Sequence, residues 1–201
     1  MNIGIFGGTF NPIHNGHLKA LQDFIHFGML DNVIVFPTGI PPHKTLLCEV
    51  SARDRLNMVK LACFGLAVVD DMEMRKPGKS YTVETIEYVK RKYPGDNLFL
   101  YVGSDMLLDF EKVWYRAADI LRMVTVVALS RTGGDYMELK EYAEYLNRKY
   151  QADVRLYITQ PQIVSSTLVR KLLYEGKSVH GLVPNAVAEY IEQNRLYRNK
   201  K

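Results

Sequence analysis

Short apolar runs alternating with longer amphipathic ones predict an α/β chain, folded as a doubly wound, mainly parallel sheet. Two observations carry that expectation. Apolar segments around Ile3, Val33, Val68, Leu98, Val126 and Val154 alternate with stretches of helical spacing, joined by short connections. The polar residues that stand out fall where a strand hands over to a helix, the edge on which an open α/β sheet keeps its ligands.

The first strand (Ile3, Ile5, Phe6) runs into Gly7-Gly8-Thr9, then Phe10-Asn11-Pro12-Ile13, then His14-Asn15-Gly16-His17 at the start of a helix expected over Gly16 to Phe27. Paired glycines before a helix N-terminus suit an anion, because the backbone comes close and unpaired N–H groups face it. Two histidines three apart at a helix start can share one face, about 5–6 Å between Cβ atoms. Gly28 is expected to end this helix.

A second buried strand, Val33 to Phe36, leads into Pro37-Thr38-Gly39-Ile40-Pro41-Pro42-His43-Lys44, a stretch that cannot be helical. Lys44 at its tip is either a phosphate contact or a solvated lysine. Ser51 is expected to cap a helix running to about Phe64, with Arg53 and Arg55 in its first turns. Gly65 to Val69 reads as a third strand, and Asp70-Asp71 as a strand-end turn or a metal pair. Thr82 is expected to be the N-cap of the next helix, which carries Val83, Ile86 and Val89 inward and stops before Pro94-Gly95.

Asn97 to Val102 is the fourth strand, ending in Gly103-Ser104-Asp105, where Asp105 either accepts from sugar hydroxyls or caps a helix. Phe110, Trp114 and Tyr115 precede a short helix over Ala117 to Leu121; Trp114 is either core or a stacking face for an aromatic base. Val124 to Leu129 makes the fifth strand, before Ser130-Arg131 and a polar helix from Tyr136 to Tyr150. Val154 to Ile158 makes the sixth. Ser165-Ser166-Thr167 then opens a helix with Arg170 one turn in, which is either a triphosphate clamp or an ordinary hydroxyl cap. Pro184 starts the final helix, Asn185 to Asn194, and the basic tail from Arg195 to Lys201 reads as a solvated terminus.

Length and composition narrow the class. At 201 residues, 47% hydrophobic and 24% charged, the chain suits one globular domain over residues 1–201. A net charge of +4 is too mild to argue for nucleic acid. Cys48 and Cys63 have neither zinc-site nor redox-motif spacing, which suggests a reducing compartment. No apolar stretch approaches about 18 residues and no charged leader precedes an apolar run, so a cytoplasmic protein with no membrane partner is expected.

Two glycine motifs are absent. Gly4, Gly7 and Gly8 have the wrong spacing for a dinucleotide fingerprint, and Gly78-Lys79-Ser80 and Gly176-Lys177-Ser178 lack the first glycine of a P-loop, with Glu73 and Lys171 in its place. What remains, GGTFNP followed by HNGH at a helix start, resembles the nucleotidyltransferases with a HxGH signature. Further stretches, PPHK, SYTVETI, GSDMLLDF with its nearby Trp114, VSSTLVR and LVPNAVAEYI, occur in the order seen in bacterial nicotinate-nucleotide adenylyltransferases, and the similarity spans nearly the whole chain. The chain departs from that pattern only where Val164 and Val169 stand for the usual isoleucines.

The resemblance implies a Rossmann-like nucleotidyltransferase fold and transfer of AMP from ATP to nicotinate mononucleotide, giving deamido-NAD and pyrophosphate. It implies His14 and His17 as catalytic contacts to the ATP phosphates, with Gly7, Gly8, Thr9 and Phe10 lining the phosphate path. Gly103 and Asp105 would hold the ATP ribose, and Ser165, Ser166, Thr167 and Arg170 the leaving pyrophosphate. Lys44, Thr82, Trp114, Tyr115 and Arg131 would bind the mononucleotide. Mg²⁺ would be carried by the ATP phosphates with no protein ligand set, and a homo-oligomer stays open. The rival readings are an adenylyltransferase for another phosphate, such as nicotinamide mononucleotide or phosphopantetheine, and a nucleotide sensor without catalysis. The absence of a KMSKS-like lysine loop speaks against a synthetase fragment.

Overall fold

The computed structural model describes residues 1–40, 50–130, 136–160 and 163–198. Its elements, in chain order, are β1 (Asn2–Gly8), α1 (Asn15–Gly28), β2 (Asn32–Pro37), α2 (Ala52–Cys63), β3 (Val68–Val69), α3 (Met72–Arg75), α4 (Thr82–Lys92) and β4 (Asn97–Gly103). They continue with α5 (Ser104–Leu107), α6 (Phe110–Val113), α7 (Ala117–Met123), β5 (Thr125–Ser130), α8 (Tyr136–Tyr150), β6 (Val154–Ile158), α9 (Ser166–Tyr174) and α10 (Asn185–Gln193). The strands pair in the order β3-β2-β1-β4-β5-β6, all parallel. That is the doubly wound order, and its switch point lies between β1 and β4.

The inner strands β1, β2, β4 and β5 are apolar on both faces because each face is covered. In β1, Ile3 and Ile5 point to one side and Phe6 to the other. The first side packs with Leu98, Leu100 and Val102 of β4 against α4 (Val83, Ile86, Val89) and α8 (Leu139, Ala143, Leu146). The second packs with Val33, Val35, Val127 and Leu129 against α1 (Leu21, Phe24), α2 (Met58, Val59) and α10 (Val187, Ile191). No helix among the described residues is long and apolar enough to cross a membrane.

Several local expectations hold. Ser51 caps α2, its Oγ accepting from the Asp54 amide at 3.1 Å, and Ser165 caps α9, accepting from the Leu168 amide at 3.1 Å. Asp70 serves the strand-end turn, accepting from the Met72 amide and the Tyr88 hydroxyl.

Others need correction. The first helix ends through Met29, not Gly28: Met29 takes the left-handed conformation (φ 47°), and the Leu30 amide donates to Ile25 O. The third strand is only Val68–Val69, because the amides of Leu66 and Ala67 both donate to Cys63 O and prolong the end of α2. Tyr81, not Thr82, is the N-cap of α4, and it caps without a side-chain hydrogen bond. The tail is not wholly solvated: Tyr197 is buried.

One buried charge ties the site edge of the sheet together. Arg55 is 2% exposed; its Nη1 donates to Thr9 O at 2.7 Å and Thr38 O at 2.8 Å, and its Nη2 to Gly39 O at 3.3 Å. It thereby joins the loops that leave β1 and β2. Arg55→Met would leave these carbonyls without their donor, and should lower the free energy of unfolding in urea by on the order of 3 kcal/mol.

Candidate active site

His14 and His17 open α1 by capping each other. The His17 amide donates to His14 Nδ1 at 3.3 Å, and the His14 amide donates to His17 Nδ1 at 3.2 Å. This is a capping box built from imidazoles in place of the usual hydroxyl and carboxylate. The rings stack, with centroids 3.7 Å apart and 24° between planes, and Phe10 sets its ring edge-on to His17. An Nδ1 that accepts an N–H carries no proton of its own, so each neutral ring keeps its hydrogen on Nε2. The pair is thus held as two Nε2–H donors at a helix N-terminus, where a negative charge is favoured. Gly16 lies between them because a Cβ there would come 3.0 Å from Val164 Cγ1 and 3.1 Å from His14 Nδ1.

The neighbouring cavity, about 360 Å³, opens at the carboxyl ends of β1 and β4. Its lining brings together Gly7, Gly8, Thr9 and His17 with Gly103 and Asp105, and with Thr82, Trp114 and Tyr115. Asp105 does not cap α5; its carboxylate folds over Gly103, where a Cβ would meet Oδ1 at 2.6 Å. Trp114 is half-buried and stacks on Phe110, with centroids 4.8 Å apart, and its Nε1 meets no hydrogen-bond partner among the described residues. Tyr115 is 58% exposed and leans on Tyr81, with centroids 4.9 Å apart. One wall is therefore aromatic and flat, and the other is made of backbone amides and an imidazole.

Other expected site residues lie outside this lining. The Phe10 side chain belongs to the core, 2% exposed and stacked on Phe6, so only its backbone is available to a ligand. His14 is 6% exposed, behind His17. The start of α9 packs against the loop before α1: Ser166 Oγ donates to Pro12 O at 2.9 Å, and Arg170 donates to Asn11 O at 2.7 Å and Thr167 Oγ1 at 3.1 Å. The α9 hydroxyls and Arg170 are thus engaged with protein atoms. The amides of Ser166 and Thr167 are the first-turn donors that the helix itself does not use. Lys44 and Arg131 lie outside the described residues.

Sequence reasoning did not mark Arg55 or Glu73. Arg55 was legible as the odd member of an apolar face, in step with buried Met58, Val59 and Cys63. Glu73 offers no such signal. It lines the cavity, 7% exposed, and accepts from Thr85 Oγ1 at 2.7 Å.

Comparisons with known proteins bear on the family and the fold. Residues 5–172 match the cytidylyltransferase-like family model. A protein described as a probable nicotinate-nucleotide adenylyltransferase from Caldicellulosiruptor bescii is 38% identical, over 98% of this chain and all of that one. The chain belongs to the nicotinate-nucleotide adenylyltransferases. A second relative, from Clostridium acetobutylicum and described the same way, is 36% identical over 96% of this chain and 97% of its own. The fold matches that of Plasmodium falciparum nicotinic acid mononucleotide adenylyltransferase complexed with NaAD, at a TM-score of 0.77 and 18% identity, over 98% of this chain and 97% of that one.

Burial pushes the Glu73 carboxyl above its ordinary value of 4.5, against the hydrogen bond from Thr85 that lowers it. The fold therefore keeps Glu73 protonated to a higher pH than the unfolded chain does. The resulting stability is full below the ordinary value and is lost as pH rises through the folded-state value. Glu73→Gln has no carboxyl to ionise, so its urea midpoint should gain on that of wild type as pH is raised from about 4.5 to about 7.5.

Proposed function

We propose that this chain, acting as one nucleotidyltransferase domain, transfers AMP from ATP to the 5′-phosphate of nicotinate mononucleotide, releasing pyrophosphate and deamido-NAD. The observation that carries the proposal is the cavity at the switch point, with a donor-bearing imidazole on one side and an aromatic wall on the other. ATP would lie over the β1–α1 loop, its phosphates on the amides of Gly8 and Thr9 and on His17 Nε2–H, and its ribose hydroxyls on Asp105. The mononucleotide would place its pyridine ring by Trp114, Tyr115 and Thr82, and its phosphate toward the ATP α-phosphorus. Lys44 and Arg131 are proposed as contacts to that phosphate.

The step is a single in-line displacement. A mononucleotide phosphate oxygen forms a bond to the α-phosphorus as the bond from that phosphorus to the bridging oxygen of the β-phosphate breaks. The electron pair leaves with pyrophosphate. The nucleophile is already an anion, so neither a general base nor a covalent intermediate is needed; the protein aligns two polyanions and absorbs the developing charge. The imidazole donors meet that charge at the α-phosphate. The first-turn amides of α9, with Ser165, Ser166, Thr167 and Arg170, are proposed for the β- and γ-phosphates, since the loop that α9 grips leads directly into His14.

Mg²⁺ bound to ATP would offset part of the phosphate charge. Such a cation would be held by phosphate oxygens and water.

A coupled assay of pyrophosphate release with ATP and Mg²⁺ tests the reading. It should return a higher kcat/KM with nicotinate mononucleotide than with nicotinamide mononucleotide; the reverse order would assign the amide as substrate. In the same assay, His17→Ala should lower turnover by about 10²–10³-fold, as loss of one preorganised donor does. A His17→Ala protein that is folded by circular dichroism and turns over at the wild-type rate would remove His17 from the mechanism.

A further inference from the structure

The last described residues reach back to the first loop. Tyr197 lies beyond α10 and is 7% exposed, and its hydroxyl donates to Asn11 Oδ1 at 2.6 Å, across 186 positions of sequence. Asn11 is itself buried, at 8% exposure, three residues before the N-cap His14. The same short turn is gripped from α9, where Arg170 donates to Asn11 O and Ser166 to Pro12 O. Asn11-Pro12 is therefore fixed from two directions, on its backbone by α9 and on its side chain by Tyr197.

The backbone after α10 is bent to deliver that hydroxyl. The Asn194 amide donates to Tyr190 O and the Leu196 amide to Ile191 O, which completes the helix end. Arg195 and Tyr197 then both adopt positive φ, 51° and 58°, a region non-glycine residues seldom occupy. Strain of this kind persists where the surroundings over-determine it. Here the fixed points are the packing of the Tyr197 ring in the core layer beneath α1 and the hydroxyl's bond to Asn11.

We propose that Tyr197 is a positioning residue for adenylyl transfer. By holding the Asn11 side chain, it fixes the loop that sets where the His14–His17 pair presents its Nε2–H donors. The inference rests on the transferase reading above. It separates the ring, which fills the core, from the hydroxyl, which serves the site.

Tyr197→Phe deletes the hydroxyl and keeps the ring. Turnover of ATP with nicotinate mononucleotide, measured well below the melting temperature, should fall by about 10-fold, within the range that a small misplacement far from the chemistry can produce. KM for the mononucleotide should stay within about two-fold, because the aromatic wall does not touch this link. Asn11→Ala should lower kcat at least as much, and the double variant should be no slower than Asn11→Ala alone, since each loses the Tyr197–Asn11 hydrogen bond. Wild-type kcat in Tyr197→Phe, whatever its melting temperature, would make the contact purely structural and overturn the proposal. Should Tyr197→Phe fail to fold, Asn11→Ala decides alone, and full turnover there overturns it equally. A wild-type protein with no pyrophosphate release counts against the transferase reading, whereas an active wild type matched by an equally active Tyr197→Phe counts against this inference only.

Discussion

The reciprocal bonds between His14 and His17 set the chemistry of the whole edge of the sheet. Each ring gives its Nδ1 to the partner's amide, so the two imidazoles together serve as the cap of helix α1. The same bonds fix the tautomer, leaving each ring its hydrogen on Nε2. An ordinary hydroxyl cap would start the helix as well, but it would not hold two ring N–H donors side by side. Stacking at 3.7 Å then leaves little room for the rings to turn, and Phe10 braces His17 edge-on.

The sheet order determines what surrounds that pair. β1 is central, with β2 on one side and β4 on the other, and the chain departs from it in both directions. The crevice between the departing connections receives His17 from one side and Asp105 with Trp114 from the other. Burying Arg55 there is tolerable because its donors meet the carbonyls of Thr9, Thr38 and Gly39 at the strand ends.

Much of this was legible in the residues. Alternating apolar runs gave strand order in sequence, and Ser51 and Ser165 announced their helices through ordinary capping chemistry. GGTFNP with the paired histidines pointed to a loop whose Gly7, Gly8, Thr9 and His17 line the cavity. The misses have a common origin in contacts between distant segments. Gly28 reads as a helix stop, yet it is small to accommodate Leu30, whose Cδ2 would lie 2.8 Å from an added Cβ, and the left-handed turn falls on Met29. Thr82 is a good cap by type, but Tyr81 takes that position while its ring leans on Tyr115, and Thr82 is left facing the cavity. Phe10 and Tyr197 show the same limit: nothing local says that the one is core and the other anchored.

The position of β1 also bears on how the chain acquires its shape. This strand pairs with β2, Ile3 opposite Asn32, and with β4, Asn2 opposite Asn97, so its two neighbours follow it by some thirty and ninety-five residues. A centre built from such distant pairings pays its loop-closure entropy before any contact rewards it, which slows folding. During synthesis the loop after β1 would emerge long before Ser166, Arg170 and Tyr197, which pin it. A ligand held by that loop would have to wait for α9 and the segment after α10 to dock.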